Sequence, residues 1–236
     1  MKNLSDYLTS NPYPGRGIAA GISSDGKTAL LAYFIMGRSA NSRNRVFIQE
    51  GDGLRTEAFD PAKVEDPSLI IYSPVKTFGS ATIITNGDQT DTVYDGLKKG
   101  LSFEESLRSR TFEPDAPNYT PRISLLFERE QGKRAFHFSI IKSDEGNPEV
   151  VLRYFYRYEN PASGTGRFLH TYAGDGSPLP SFSGEPEKFI IGNENIDAFT
   201  NSVWNALNGE NRISLFTRFV DLETGEIGTR IINKNR

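Results

Sequence analysis

The run Thr28-Ala29-Leu30-Leu31-Ala32-Tyr33-Phe34-Ile35-Met36 constrains the fold more than any other part of this sequence. It has the length of a strand and follows Ser24-Asp25-Gly26, a turn signal of the Asp-Gly kind. Residues 17–23, before that turn, supply the other arm of a hairpin. A strand with one wet face alternates apolar and polar residues, whereas a nearly all-apolar one is expected to be buried on both faces.

Further strands are expected at residues 45–49, 54–59, 69–72 and 81–85. A helix follows over 90–100, with Val93 and Leu97 four apart and Gly100 as its stop. Ser102-Phe103-Glu104-Glu105 reads as a capping box opening a second helix that runs to 110. Strands return at 122–129, 135–141, 150–158 and 167–172. Residues 161–186 are rich in Gly, Pro and Ser and read as a long loop or lid. An amphipathic helix then places Ile196, Phe199, Val203, Trp204 and Leu207 on one face, and strands at 212–220 and 228–232 close the chain. Hairpin runs with grouped helices favour a layered α+β architecture over a doubly wound parallel sheet. No repeat or linker divides the chain, so residues 1–236 read as one domain.

Composition narrows the chemistry. Lys and Arg number 27 against 30 Asp and Glu, so the basic excess of a nucleic-acid-binding surface is absent. There is no cysteine, which removes disulfides, thiolate catalysis and cysteine-ligated metal centres. The polar start Met1-Lys2-Asn3-Leu4-Ser5-Asp6 leads into no apolar segment, and the longest apolar run, 29–36, is far short of a bilayer span. The expectation is a cytoplasmic protein without membrane contact. His137 and His170 have no metal-binding spacing, and His137 sits in the alternating run Ala135-Phe136-His137-Phe138, which suits a structural role. Gly164-Thr165-Gly166 lacks the third glycine and the strand–turn–helix setting of a dinucleotide loop.

Three polar stretches remain. Residues 37–45, Gly-Arg-Ser-Ala-Asn-Ser-Arg-Asn-Arg, make either a solvated hairpin end or a cluster of guanidinium forks around a phosphate. Residues 85–92, Thr-Asn-Gly-Asp-Gln-Thr-Asp-Thr, either cap a helix or present a polar wall to a ligand. Residues 113–122 carry Glu113, Asp115 and Asn118 among three prolines, which is either a stiff strand entry or a rigid loop holding catalytic groups.

Together, Gly15-Arg16-Gly17-Ile18, Gly37-Arg38-Ser39 with Arg43 behind it, Ile71-Tyr72, the Asn86-Gly87-x-x-Thr90-Asp91-Thr92 block and Thr120-Pro121-Arg122-Ile123 carry a resemblance. Over residues 13–128 the chain resembles the archaeal-type, stand-alone IMP cyclohydrolase family, and beyond Glu130 little matches. The resemblance implies a four-layer α/β/β/α sandwich similar to the N-terminal nucleophile hydrolases, here without a nucleophile at Met1 or Lys2. It implies closure of 5-formamidoimidazole-4-carboxamide ribotide to IMP and water, with neither metal nor cofactor. By matching positions, Arg43, Tyr72 and Glu113 are its catalytic candidates, with Asp115 a rival to Glu113. Arg38, Asn86, Asp88, Thr90 and Arg122 are its substrate-binding candidates, with Arg16 a further one. The partner it implies is a small purine ribotide, bound by a homo-oligomer.

Overall fold

The structure, a computed structural model, describes residues 2–64, 71–130 and 132–235. Helix α1 (Leu4–Ser10) starts at a reciprocal capping box between Asn3 and Asp6. Strands β1 (Arg16–Ile22) and β2 (Thr28–Met36) form the first hairpin, and the short helix α2 (Ala40–Arg43) leads to β3 (Arg45–Glu50) and β4 (Gly53–Ala58). Then come β5 (Val75–Phe78), β6 (Ala81–Thr85), helices α3 (Gln89–Lys98) and α4 (Phe103–Leu107), and β7 (Arg122–Glu130). Strands β8 (Lys133–Asp144), β9 (Asn147–Glu159), β10 (Thr165–His170) and β11 (Glu187–Ile190) precede helix α5 (Ile196–Ala206), and β12 (Arg212–Asp221) and β13 (Ile227–Asn233) end the fold.

The strands make two sheets, ordered β11-β10-β1-β2-β12-β13 and β3-β4-β5-β6-β7-β8-β9, and neighbouring strands pair antiparallel throughout the described residues. β2 lies inside the first sheet, between β1 and β12, and both of its faces are buried, as its sequence requires. Ala29, Leu31, Tyr33 and Ile35 face the second sheet, where they meet Phe47, Leu54, Val75, Leu125, Phe127 and Phe138. Leu30, Ala32, Phe34 and Met36 face the other way, onto Leu4 and Leu8 of α1 and Phe199 and Val203 of α5. The outer face of the second sheet is covered in turn: Ile83, Leu126 and Ile141 pack on Val93 of α3 and on Phe103 and Leu107 of α4. The result is helices, sheet, sheet, helices, a layered α+β sandwich with its main core between the sheets.

Local signals explain several boundaries. Helix α3 ends where Gly100 takes φ +77°, Gly100 N–H donates to Leu97 O (3.0 Å) and Leu101 N–H to Gly96 O (3.0 Å), a paired stop that glycine allows without strain. The capping box of Ser102 and Glu105 opens α4, which stops at Leu107, sooner than the expected 110. The strand expected at 69–72 is not found in its described part: Ile71 and Tyr72 lie outside any strand, residues 69 and 70 lie outside the described residues, and the sheet instead takes up β5. The stretch 161–186 includes all of β10 and is otherwise irregular up to β11, apart from an isolated bridge between Tyr172 and Ser181. Among the described residues, no helix is long and apolar enough to cross a membrane.

Because the inter-sheet core carries the fold, Phe138→Ala, at a fully buried position, is expected to cost about 3–5 kcal/mol. Val150→Ala on the exposed part of β9 is expected to change stability by no more than about 0.5 kcal/mol. Chemical denaturation midpoints of the two variants check the contrast.

Candidate active site

The apolar alternation of the inner sheet faces gives way to charge at one end of the sandwich. On β1 the inward residues are Ile18, Ala20 and Ile22, so Arg16, two residues before Ile18, points into the same gap. On β3 Phe47 points inward, and Arg45 two residues earlier does too. Tyr33 of β2 lies between them on the inner face, Tyr72 arrives just before β5, and Glu113 comes from the segment between α4 and β7. Gly15, at φ +75°, admits the chain beside β10: a Cβ there would lie 2.3 Å from Thr171 Oγ1 and 2.5 Å from the Tyr172 ring.

Glu113 is the one buried carboxylate among the described residues, at 3% exposure. Its Oε2 lies 3.8 Å from Arg16 Nη2, and its own N–H donates to Thr120 O (2.9 Å), which holds the loop against β7. Burial pushes the Glu113 carboxyl above the ordinary carboxylate range, while Arg16, Arg122 and Arg45 pull the other way. Arg16 itself is held above its ordinary range: burial lowers it, but Glu113 and the phenols of Tyr172, Tyr72 and Tyr13 outweigh that.

Arg45 is fully buried. Its Nε donates to Ser42 O (2.8 Å) and its Nη2 to Met36 O (3.4 Å), while Nη1 has no hydrogen-bond partner among the described residues. Burial and Arg16 lower its pKa, and Tyr72, Tyr33 and Glu113 work in the opposite direction. Tyr33 and Tyr72 share a hydrogen bond of 2.7 Å. Burial raises Tyr72, against the pull of Arg45 and Arg16. Tyr172, pushed up to about 12 by burial, closes the group from the other side through a 2.6 Å bond with Thr120 Oγ1. Two guanidinium groups, one carboxylate and several phenols therefore share a gap largely shielded from water.

The sequence candidates divide around this cluster. Tyr72 and Glu113 stand in it, as does Arg16. Arg43 does not: it is exposed, with Nε donating to Gly37 O (3.0 Å) and Nη2 to Asn211 Oδ1 (3.0 Å). The four-residue helix α2 turns the chain so that Arg45, not Arg43, enters the gap. Asp115 accepts from Thr120 N–H (2.6 Å) and from the Thr120 hydroxyl, so both its oxygens organise the loop. Arg38 pairs with Asp175 (2.5 Å) and Gly176 O (2.9 Å), lies over the Tyr13 ring, and ties down the loop after β10.

Asn86, Asp88, Thr90 and Arg122 form a neighbouring polar network at the start of α3. Asn86 donates to Pro121 O (2.9 Å) and accepts from Ile123 N–H (2.8 Å) and Gln89 (2.9 Å). Thr90 bonds Thr85 (2.6 Å), and Arg122 donates to Gln89 (2.7 Å) and pairs with Asp88 (2.8 Å), which Arg110 also reaches. Asp88 is half-exposed, whereas Asn86 and Thr90 are fully buried. His137 lies beside Glu128 and Phe103, away from the cluster, and His170 packs between Phe168 and Phe182 and meets the cluster at its edge, with Nδ1 hydrogen-bonded to Tyr172 O (2.8 Å). No three His, Asp or Glu among the described residues gather as metal ligands would.

Sequence reasoning held Arg45 only as one of the three arginines of residues 37–45, without singling it out, and missed Tyr33 and Tyr172. The period-two pattern back from Phe47 would have pointed Arg45 inward. A tyrosine in an otherwise apolar strand would have marked Tyr33.

The sequence has relatives. The chain is 33% identical over 178 residues to an IMP cyclohydrolase of Methanopyrus kandleri, covering 72% of this chain and 79% of that protein. It is 25% identical over 224 residues to an IMP cyclohydrolase of Methanococcus aeolicus, covering 92% and 99%. An IMP cyclohydrolase of Methanococcus maripaludis is 29% identical over 126 residues, covering 50% and 60%. A family model described as IMP cyclohydrolase-like protein matches residues 13–225, well past the point near residue 128 where the motifs give out. That match spans every strand but β13 and every member of the buried cluster from Arg16 to Tyr172, and this chain belongs to the IMP cyclohydrolase-like family.

Proposed function

We propose that this chain is an IMP cyclohydrolase, closing the pyrimidine ring of 5-formamidoimidazole-4-carboxamide ribotide to give IMP and water. The observation that carries the reading is a buried carboxylate, Glu113, 3.8 Å from Arg16, in the same group as a second buried guanidinium, Arg45, whose Nη1 lacks a partner among the described residues. Carboxamide nitrogen and formyl carbon sit on one molecule, so binding has only to rotate them together and serve the charge that moves. In this account Glu113 takes a proton from the carboxamide nitrogen as that nitrogen bonds to the formyl carbon. Arg45 Nη1 and the Tyr72 hydroxyl donate to the formyl oxygen as it gains negative charge. The oxygen takes up the proton that Glu113 removed, which returns Glu113 to its carboxylate, and becomes hydroxyl. Elimination then removes that hydroxyl with the hydrogen of the former formamide nitrogen, leaving the aromatic ring and one water.

Glu113 suits the role of base because burial lifts its carboxyl toward neutral pH while Arg16 keeps the ionised form accessible. The net positive charge of Arg16, Arg45 and Glu113 matches an oxyanion in a medium poor in water. Arg43 has no part in this account. The network of Asn86, Asp88, Thr90 and Arg122, with Arg38 at the loop, is assigned to the ribose and phosphate. We also read the sandwich as akin to the N-terminal nucleophile hydrolases, and the working enzyme as a homo-oligomer in the cytoplasm.

The direct test is conversion of the formamido ribotide to IMP, followed by ultraviolet absorbance; no turnover by folded protein would sink the reading. Glu113→Gln is expected to lower kcat by about 10²–10⁴-fold, and Asp115→Asn by much less. Arg45→Met is expected to lose about 10²–10³-fold in kcat, with Arg43→Met close to wild type. Equal losses in either pair would contradict the assignment.

A pH profile tests the base. Its active form is the carboxylate, so kcat/KM rises with pH through the Glu113 pKa. Arg16→Met removes the nearest positive charge and raises that pKa, so the acid limb is expected to move to higher pH. An unmoved or downshifted limb would remove Glu113 as the titrating base.

A further inference from the structure

Tyr33 is a fully buried tyrosine in a strand whose other members, after Thr28, are all apolar. Its ring is treated as a hydrocarbon. It stacks on Phe47 with centroids 5.6 Å apart, and its neighbours across the sheet are Ile18 of β1 and Phe216 of β12. Phenylalanine would fill that space equally well. The hydroxyl is what needs explaining, and among the described residues it has one hydrogen-bond partner, the Tyr72 hydroxyl at 2.7 Å.

Two phenols in contact have one shared bond and two protons. If Tyr72 donates, the Tyr33 proton is left without an acceptor at a position of 0% exposure, at the full cost of a buried unsatisfied donor. If Tyr33 donates, its own need is met and the Tyr72 proton is left to point elsewhere, from a residue that retains 8% exposure. The second arrangement is the cheaper one.

Resting on the reading of Tyr72 as a donor to the substrate's formyl oxygen, we propose that Tyr33 is a positioning residue. It donates to the Tyr72 oxygen, and so fixes the Tyr72 proton in the direction of the bound ribotide. Tyr33 touches no substrate in this account; it acts through Tyr72 alone. Without it, Tyr72 is free to rotate its hydroxyl away, and a donor prepared in advance becomes one that must be oriented during the reaction.

The test is a double-mutant cycle on the cyclisation reaction with the full-length chain, reading kcat, KM and melting temperature. Tyr33→Phe is expected to lower kcat by between about three- and thirty-fold, the worth of one buried hydrogen bond, with KM and melting temperature little changed. Tyr72→Phe is expected to cost more, and adding Tyr33→Phe to it should cost nothing further, because the group through which Tyr33 acts is gone. An impaired Tyr72→Phe enzyme with a Tyr33→Phe effect that is absent, or that persists undiminished in the double variant, overturns the proposal while leaving Tyr72 its role. A fully active Tyr72→Phe enzyme, or a wild type without turnover, overturns the reading on which both rest. A Tyr33→Phe protein whose melting temperature falls together with its activity assigns the hydroxyl to folding and also overturns the proposal.

Discussion

A nine-residue strand with no polar face has to be covered by apolar partners on both sides, and the rest of this molecule is arranged to meet that demand. β2 meets it with a second sheet on one face and helices α1 and α5 on the other. Placing a sheet there creates a second sheet with an outer face of its own, and α3 and α4 cover that. Four layers follow from one strand's composition together with the tendency of sheets to bury apolar faces. The gap between the sheets is the driest place in such a sandwich, and the end of that gap is where charge can be introduced without dividing the core.

Arg16, Arg45 and Glu113 occupy that end. Burying charge is costly unless it is paired, and removing one partner of a buried pair costs more than leaving the position apolar from the start. Here the pairing is incomplete: two cations face one carboxylate, and Arg45 Nη1 and Arg16 Nε lack partners among the described residues. A cluster built only for stability would be neutral and saturated. One that lacks an acceptor is prepared for an oxygen that arrives with a ligand, and the same low dielectric that makes it costly strengthens its action on developing charge. The loop after β10 contributes here, since Arg38 holds Asp175 and Asn118 accepts from Leu179 N–H (3.0 Å), placing Tyr172 against Thr120.

Much of this was legible in the sequence because it depends on local pattern. The extent of β2, the stop at Gly100 and the capping box at Ser102 are written in neighbouring residues. Tyr72 and Glu113 were within reach because motif order survives where geometry is unknown. Arg45 was harder to reach, because motif order led to Arg43 and the single turn of helix α2 that separates the two is not announced by composition; only the period-two register back from Phe47 carries the signal. The proposal of Glu113 over Asp115 as base rests on burial and on where Thr120 sits, facts of tertiary structure. β5 and β11 are four residues each, and α1 has seven, too short for periodicity to register.

The central claim is that ring closure takes place inside the inter-sheet gap, among Arg45, Tyr72 and Glu113. A crystal structure of the chain with IMP tests it most directly. The account predicts the hypoxanthine ring between the sheets, with N1 facing Glu113 and C2, the carbon joined in ring closure, facing Arg45 and Tyr72. IMP bound with its base outside that gap, for example on the exposed side of Asp88 with the buried cluster untouched, would contradict it.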